Sequence, residues 1–503
     1  MPDASRWAAT RNNGRLDRGG IPRMPLHELA REVVRECRDG RRLAALFGVP
    51  DGGRLLVYTV LADDARSELL VSGAECAPGT VYPSITKEIP AAHVFERELW
   101  EEYALQPEGH PWLKPVRYPH DRSDRGQVLE NYPFFAMEGE EVHEVAVGPV
   151  HAGVIEPGHF RFQCTGEDVH HLEIQLGYQH RGVERLMEGP ATPPHPLRNR
   201  LAESIAGDTA VGHGLAYAGA MEALLGLEVP PRAVFIRDAA LELERIAVHI
   251  GDLAAIANDV AYLTGNAVFG ALRTKVINTS LAACGSRFGR GWVQTGGVRG
   301  DVGAELRERI LRSLDEVLPD VERMADTFFS TASVLSRLEK TGIVRRASAE
   351  GVGLVGMAAR ACGVPRDVRA DHPWGAFEKF PLAKVTLDGG DVYARSYIRY
   401  LEIRQSAEIV RQRLANLPDG AAWAEPGNAL PADCLAVALV EGWRGEILHA
   451  AVTGPDGRVV RYRVKDPSVH NWFGLALAVR NNGISDFPLC NKSFNLSYCG
   501  NDL

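Results

Sequence analysis

The sequence predicts an α+β protein: an N-terminal α/β domain, then a long-helix bundle core with a peripheral antiparallel β-sheet. Three observations point there. The chain has 503 residues, enough for roughly two to four folded units with sizeable cores. The segments RLLVYTVLADD and SELLVSGAEC alternate and are rich in β-branched residues, as strands are. Farther on, RAVFIRDAALELERIAVHIGDLAAIANDVAYL repeats Ile236, Ala240, Leu243, Ala247, Ile250 and Ala254 at steps of three and four, the spacing of a helix face.

Residues 1–24 are rich in Arg and Gly and read as a flexible arm. In LHELAREVVRECRDG, Leu26, Leu29, Val33 and Val34 share a helical face, and after the two strands AAHVFERELWEEYAL reads as an amphipathic helix. These elements close a unit over 25–122. The polar stretch 123–134 reads as a linker, leaving 135–503 as the larger domain. Short strands punctuated by Gly and Pro open that domain, and helical patterns run from about 200 to 415.

The 232–263 helix carries a second stripe of Asp238, Glu242, Arg245, His249 and Asp252. It reads either as a solvated face with i, i+3 and i, i+4 pairs or as a polar track against a partner or cavity. A second long helix in DVYARSYIRYLEIRQSAEIVRQRLANLPDG stops at Pro418 and Gly420, and the following segment alternates like a hairpin around Pro455, Asp456 and Gly457.

Composition excludes several classes. Hydrophobic residues at 45% and charged residues at 24% fit a folded chain, and a net charge of -9 without a dense basic patch argues against nucleic acid as a partner. No apolar run reaches the roughly 18 to 20 residues of a spanning helix, and the start lacks the apolar core of a secretory signal, so any membrane role is expected through partners. The 8 cysteines are scattered with no two at C-x-x-C spacing, as expected of buried free thiols in a reducing cytoplasm. The run WVQTGGVRGD lacks the G-K-[ST] and helix context of a phosphate loop and reads as a turn.

Several motifs, in one order, resemble a known family. GPVHAGVIEPGHFRF (148–162), IQLGYQHRGVERLM (174–187), LAYAGAMEALLGLEVPPRAVFIR (215–237) and ELERIAVHIGDL (242–253) resemble the large subunit of group 4, energy-converting nickel–iron hydrogenases of the formate hydrogenlyase type, and equally the 49 kDa subunit of respiratory complex I. YPSITKEIPAAHVFERELWEEYALQPEGHPWLKPVRYP (82–119) resembles the complex I 30 kDa subunit. WVQTGGVRGD, GDVYAR and EGWRGE resemble architectural turns of the family.

In that family, four cysteine thiolates hold nickel and iron, and soft thiolates suit nickel. The resemblance places Ala206 and Thr209 at the first pair and Ser497 and Gly500 at the second; Cys490 and Cys499 lie near but off position. The implied nickel–iron site is therefore lost, with no cofactor expected in this chain. For a quinone, Gly148, Pro149 and His151 fit the start of the complex I loop, but Ile155 and Gly207 stand where a second His and a Tyr contact the head group. Asp208 or His213 could donate instead.

The polar residues that fit the family are Glu156, His180, Arg181 and Glu184, with Glu156, His180, Arg181, Asp208, His213 and His151 as candidates for proton transfer or cavity lining. Glu184 and Arg181 have an equally good reading as a structural ion pair, and His159, His171 and His249 as satisfied structural residues. The resemblance implies a cytoplasmic chain, peripheral on the inner face of the membrane, against a small subunit carrying a 4Fe-4S cluster and above antiporter-like membrane subunits. Its expected task is coupling a redox or conformational change to ion translocation, without activity alone. The alternatives are a quinone- or other acceptor-reducing subunit, a structural scaffold, and a working hydrogenase, against which the ligand count speaks.

Overall fold

The computed structural model describes residues 6–151, 153, 155–189 and 196–503. The N-terminal unit comprises β1 (Ala8–Thr10), β2 (Gly14–Asp17), β3 (Arg23–Met24), α1 (Leu26–Arg38), β4 (Arg42–Asp51), β5 (Arg54–Asp63), β6 (Glu68–Cys76) and α2 (His93–Tyr103). Its five-stranded sheet runs β1-β6-β5-β4, antiparallel, with β3 parallel to β6. Leu29 and Val33 of α1 and Phe95 and Leu99 of α2 pack with Val57 and Leu61 in one buried cluster, so the amphipathic faces read from the sequence meet the sheet.

The arm expected to be flexible is instead woven into the fold over residues 8–24. β1 pairs with β6, while β2 leaves this sheet and joins a second one near the C-terminus. The reason lies in the polar side chains that make the segment look mobile. Asn12 donates to the carbonyls of His372 (2.9 Å) and Leu439 (3.0 Å), and the buried Arg18 donates to Tyr58 Oη (3.2 Å) and the Thr453 carbonyl (3.1 Å). The arm thus ties the two halves together.

The larger domain opens with a three-stranded antiparallel sheet of β7 (Val142–Val147), β8 (His159–Thr165) and β9 (Asp168–Gln175). The bundle follows: α3 (Ala210–Leu225), α4 (Pro231–Asp259), α5 (Leu263–Cys284), α6 (Ala304–Phe328) and α7 (Val392–Ala415). Pro231 starts α4, where its missing N–H costs nothing, and Asp391 caps α7 by accepting from the Ala394 N–H (2.8 Å). Then come β10 (Cys434–Gly442), β11 (Gly445–Thr453) and β12 (Val459–Lys465), which with β2 form the sheet β12-β11-β10-β2. α8 (Ser468–Ala478), α9 (Phe487–Phe494) and α10 (Tyr498–Asp502) complete the chain.

Two sequence expectations change here. The single hairpin around Pro455–Gly457 is one of two, since EGWRGE breaks the preceding run into β10 and β11 with Trp443 and Arg444 at the tip. Of the two readings of the α4 polar stripe, the solvated face is excluded: Asp238, Glu242, Arg245, His249 and Asp252 are all at most 4% exposed. Charges this deep persist only when paired, and α7 with its neighbours supplies the partners. Arg413 meets Asp238 (3.0 Å), Arg369 meets Glu242 (2.9 Å) and Arg399 meets Asp252 (2.9 Å).

Candidate functional site

Three segments converge at the β10–β11 turn: the stretch leading into α3, the turn itself, and the last residues of the chain. The turn is forced tight because Gly445 has φ +137 and its Cα side faces Gly356, whose Cα would lie 2.7 Å from any added Cβ. Arg444 is thereby thrown inward, 4% exposed. Its guanidinium makes a two-point pair with the Asp208 carboxylate (2.6 and 2.7 Å), donates to Thr209 Oγ1 (3.1 Å), and through Nε to the Asn495 carbonyl (2.5 Å). It lies 3.9 Å from the Trp443 ring, whose Nε1 donates to the Asp208 carbonyl (3.0 Å). One cation therefore joins the two segments that hold Ala206 and Thr209 on one side and Ser497 and Gly500 on the other. The Asp208 side chain stays 35% exposed.

These residues do not suit a thiolate-held metal pair. Ala206 offers no donor atom, Thr209 accepts from Arg444, and Ser497 Oγ accepts from the Gly500 N–H (2.9 Å) as the cap of α10. At Gly500 a Cβ would lie 2.7 Å from the Asp466 carboxyl carbon and 2.8 Å from Ser497 Oγ. Asp466 cannot swing aside, since it accepts from the Ser468 N–H (2.7 Å) and from His213 (3.0 Å). The nearby thiols are inert: burial pushes Cys490 up to about 11, and burial with Glu156 pushes Cys499 up to about 11. Among the described residues, no group of three or more His, Cys, Asp or Glu is arranged to hold a metal ion.

Behind Asp466 runs a buried hydrogen-bonded line. His213 Nε2 faces Asp466 (3.0 Å), His213 Nδ1 faces His449 Nε2 (3.1 Å), and His449 Nδ1 faces the Tyr462 hydroxyl (2.8 Å). Burial, with His213 adding, holds His449 far below its ordinary pKa, so it is neutral. Every ring nitrogen of the two histidines thus has a hydrogen-bond partner inside this line, which closes it to solvent. Burial pushes Asp466 up, but His213 and Arg444 outweigh it and hold the carboxyl below its usual range.

The remaining candidates fall into two groups. Glu156 is half-buried and faces the Cys499 thiol, which Arg181 also approaches. His180 Nδ1 bonds the Asp502 carbonyl (2.8 Å) and the Arg181 backbone N–H donates to the Leu503 carbonyl (2.9 Å), which hold the C-terminal segment, while the Arg181 side chain donates to the carbonyls of Ser204 (3.1 Å) and Ile205 (3.3 Å). His151 sits apart, with Nε2 on the Gly158 carbonyl (3.0 Å). Glu184 pairs with Arg463 and Arg461 (both 3.3 Å) rather than with Arg181. His159, His171 and His249 bond the Gly148 carbonyl (3.0 Å), Arg480 (3.2 Å) and Glu402 (2.8 Å) respectively. His213 has both ring nitrogens engaged and no exposed surface, which leaves it no donor for a quinone head. Sequence reasoning missed Arg444, His449, Tyr462 and Asp466. The available signal was an Arg between glycine-rich turn residues and, five positions on, a His within an apolar run.

The chain matches the family model of the respiratory-chain NADH dehydrogenase 30 Kd subunit over residues 22–132 and that of the 49 Kd subunit over 259–433. It is 30% identical to hydrogenase-4 component G of Escherichia coli K12 over 482 residues, covering 92% of this chain and 83% of that protein. It is 31% identical to the membrane-bound hydrogenase subunit alpha of Pyrococcus furiosus, covering 70% and 85%. A chain in the structure of the membrane-bound sulfane sulfur reductase, an archaeal respiratory membrane complex, shares the fold with a TM-score of 0.67 at 23% identity, covering 72% of this chain and 99% of that one. The chain belongs to the family of group 4 hydrogenase large subunits and complex I 49 kDa subunits, in the form that carries a 30 kDa-type domain fused ahead of it.

Proposed function

We propose that this chain is a subunit of a membrane-attached assembly of complex I and energy-converting hydrogenase type, where it couples a redox or conformational change to ion translocation without a nickel–iron centre of its own. Its relatives are named as a component of hydrogenase-4 and a subunit of a membrane-bound hydrogenase, a chain of similar fold belongs to a respiratory membrane complex, and no helix among the described residues is long and apolar enough to cross a membrane. In this reading the chain attaches through other subunits, on the cytoplasmic face, with an iron–sulfur small subunit beside the Arg444 site and antiporter-like subunits below.

One observation carries the reading: where the family's metal ligands would stand, Arg444 ties Asp208 and Thr209 to Asn495. A guanidinium holds its charge at any accessible pH, so it can fix two segments relative to one another. The half-open Asp208 and the line from Asp466 to Tyr462 then supply proton-holding groups near that joint. The test is to purify the assembly from native membranes, measure its metals and identify its companions. We expect no stoichiometric nickel, no hydrogen-dependent dye reduction, and co-purification of a cluster-bearing small subunit with membrane subunits. Stoichiometric nickel with hydrogen oxidation would overturn the reading.

A second reading, reduction of a quinone or another acceptor, has one feature in its favour: Asp208 is exposed enough to meet a ligand. Acceptor reduction by the intact assembly that disappears in Asp208→Asn would establish it, and an unchanged rate would remove it.

A further inference from the structure

A cavity of about 530 Å³ lies away from the Arg444 site, between the N-terminal unit and the larger domain. Its wall takes residues from α2, from the 111–116 segment, from β9 and from α8. The volume is that of small-molecule sites, roughly 300 to 1,000 Å³. One side is a cluster of rings: His93, Trp112 and Phe473 touch pairwise, with centroids 5.3, 5.3 and 5.5 Å apart.

The charges of this wall do not balance. Glu173 is saturated, accepting from Trp112 Nε1 (3.0 Å), Lys114 Nζ (2.5 Å), Tyr132 Oη (3.2 Å) and the Phe135 N–H (2.6 Å). That pairing also neutralises Lys114. Arg97, stacked 4.3 Å from the Trp112 ring, donates only to the carbonyls of Lys114 and Pro115 (both 2.7 Å). Among the described residues, Arg480 bonds only His171 (3.2 Å), with its Nε buried and unpartnered, and neither guanidinium has a carboxylate at ion-pair distance. His93, 6% exposed, has no partner among them on either ring nitrogen, and burial keeps it neutral. Two guanidinium groups without a carboxylate partner, beside a cluster of mutually tilted rings, call for an anion that is itself flat.

We propose that this cavity binds a small planar aromatic carboxylate, its ring on the Trp112–Phe473 wall and its carboxylate at Arg480. The cavity spans both domains, so an occupant would pin them together. Asn501 of the C-terminal segment lines the cavity, and Trp472, another wall residue, donates to the Ser497 carbonyl (3.4 Å) and packs on Tyr498 at 4.8 Å, so an occupant would touch that segment.

Calorimetric titration of the full chain tests the proposal with three probes: 2-naphthoate, 2-naphthylmethanol, which keeps the aromatic rings without the charge, and cyclohexanecarboxylate, which keeps the charge on a puckered ring with no aromatic face. We expect saturable binding of 2-naphthoate, at least tenfold weaker binding of the other two, and a tenfold loss for 2-naphthoate in Arg480→Gln with the alcohol unaffected. Ala476→Leu, which fills the cavity from α8, should weaken both naphthyl probes. Absent binding of 2-naphthoate, or equal binding of acid and alcohol, overturns the proposal. Should Arg480→Gln fail to fold, the wild-type preference for acid over alcohol decides it.

Discussion

The bundle interior and the Arg444 site are both built from guanidinium–carboxylate pairs, yet they differ in closure. Inside the bundle, Glu402 receives Arg360 (2.6 Å), His249 (2.8 Å) and Arg245 (3.3 Å), and Arg360 continues to Glu441 (2.7 Å), with every member at most 1% exposed. At the β10–β11 turn the pair is open on one side, through Asp208. Closed networks of this kind add little net stability, because desolvation offsets attraction, but they are intolerant of losing one member. They fix which helix faces which. The open pair keeps one carboxylate where protons and ligands can reach it, so the same chemistry reads as scaffold in one place and as site in the other.

The largest effect should come from breaking the closed network. Arg360→Met leaves Glu402, Glu441 and Asp367 without their shared cation, a loss of about 3–5 kcal/mol for an uncompensated buried charge. Burial with partial compensation already pushes Glu441 up to about 7, so the strain falls there first. Urea unfolding should show a large fall in midpoint or no folded protein, and an unchanged midpoint would mean that water reaches these carboxylates.

Smaller, and specific to the site, is Gly500→Ala. The added Cβ meets Asp466, whose carboxylate is held by His213 and the Ser468 N–H, so the overpacking cost of about 1–3 kcal/mol has no cheap escape. Gly270→Ala, likewise inside a helix but where a Cβ meets nothing within 4 Å, is the matched control. Thermal unfolding should separate the two variants. Equal melting temperatures would show that the C-terminal segment shifts freely, which would also reopen the position to a larger side chain.

Arg444→Gln should cost less in global stability and more in local order. It removes the donors to Asp208 and the Asn495 carbonyl but leaves the former solvated, so about 1–2 kcal/mol is expected. Hydrogen exchange should rise in residues 495–503 and around 206–209 together, because one guanidinium holds both. A rise in only one segment would break the claim that Arg444 joins them.

Much of the architecture was legible in the residues because periodicity reports burial. Leu29 and Val33 place α1 on its sheet, and the three-and-four steps from Ile236 to Ala254 mark α4 as a core helix. What periodicity does not report is the partner. The polar stripe of α4 has the spacing of a solvated face whether it meets water or the arginines of α7, and only the tertiary pairing decides. For the same reason Asn12 and Arg18 look like residues of a loose arm until Leu439 and Thr453 are brought to them. The candidate site was half legible. Resemblance pointed to Asp208, His213 and Ser497, but Arg444 comes from a turn, His449 and Tyr462 from distant strand positions whose alternation says only that they are buried, and Asp466 from the residue that follows β12.

An effect that is absent in acid and grows with pH, and that sharpens the contrast between closed and open carboxylates, concerns Glu244. It accepts from the N–H groups of Val211 (2.7 Å) and Gly212 (3.1 Å) at the start of α3, yet burial pushes its carboxyl up to about 8. The folded state therefore holds this proton more tightly than the unfolded chain, where a Glu titrates near 4.3. A raised pKa contributes stability that is full below the unfolded value and drains away as pH climbs through the folded one. Glu244→Gln mimics the protonated form and cannot titrate. Its melting temperature should match the wild type below about pH 4 and exceed it increasingly up to about pH 8, where the gap levels off. Parallel curves would mean that the two N–H donors and the helix end keep Glu244 ionised throughout, making it a second charged group behind the Arg444 turn rather than a neutral cap.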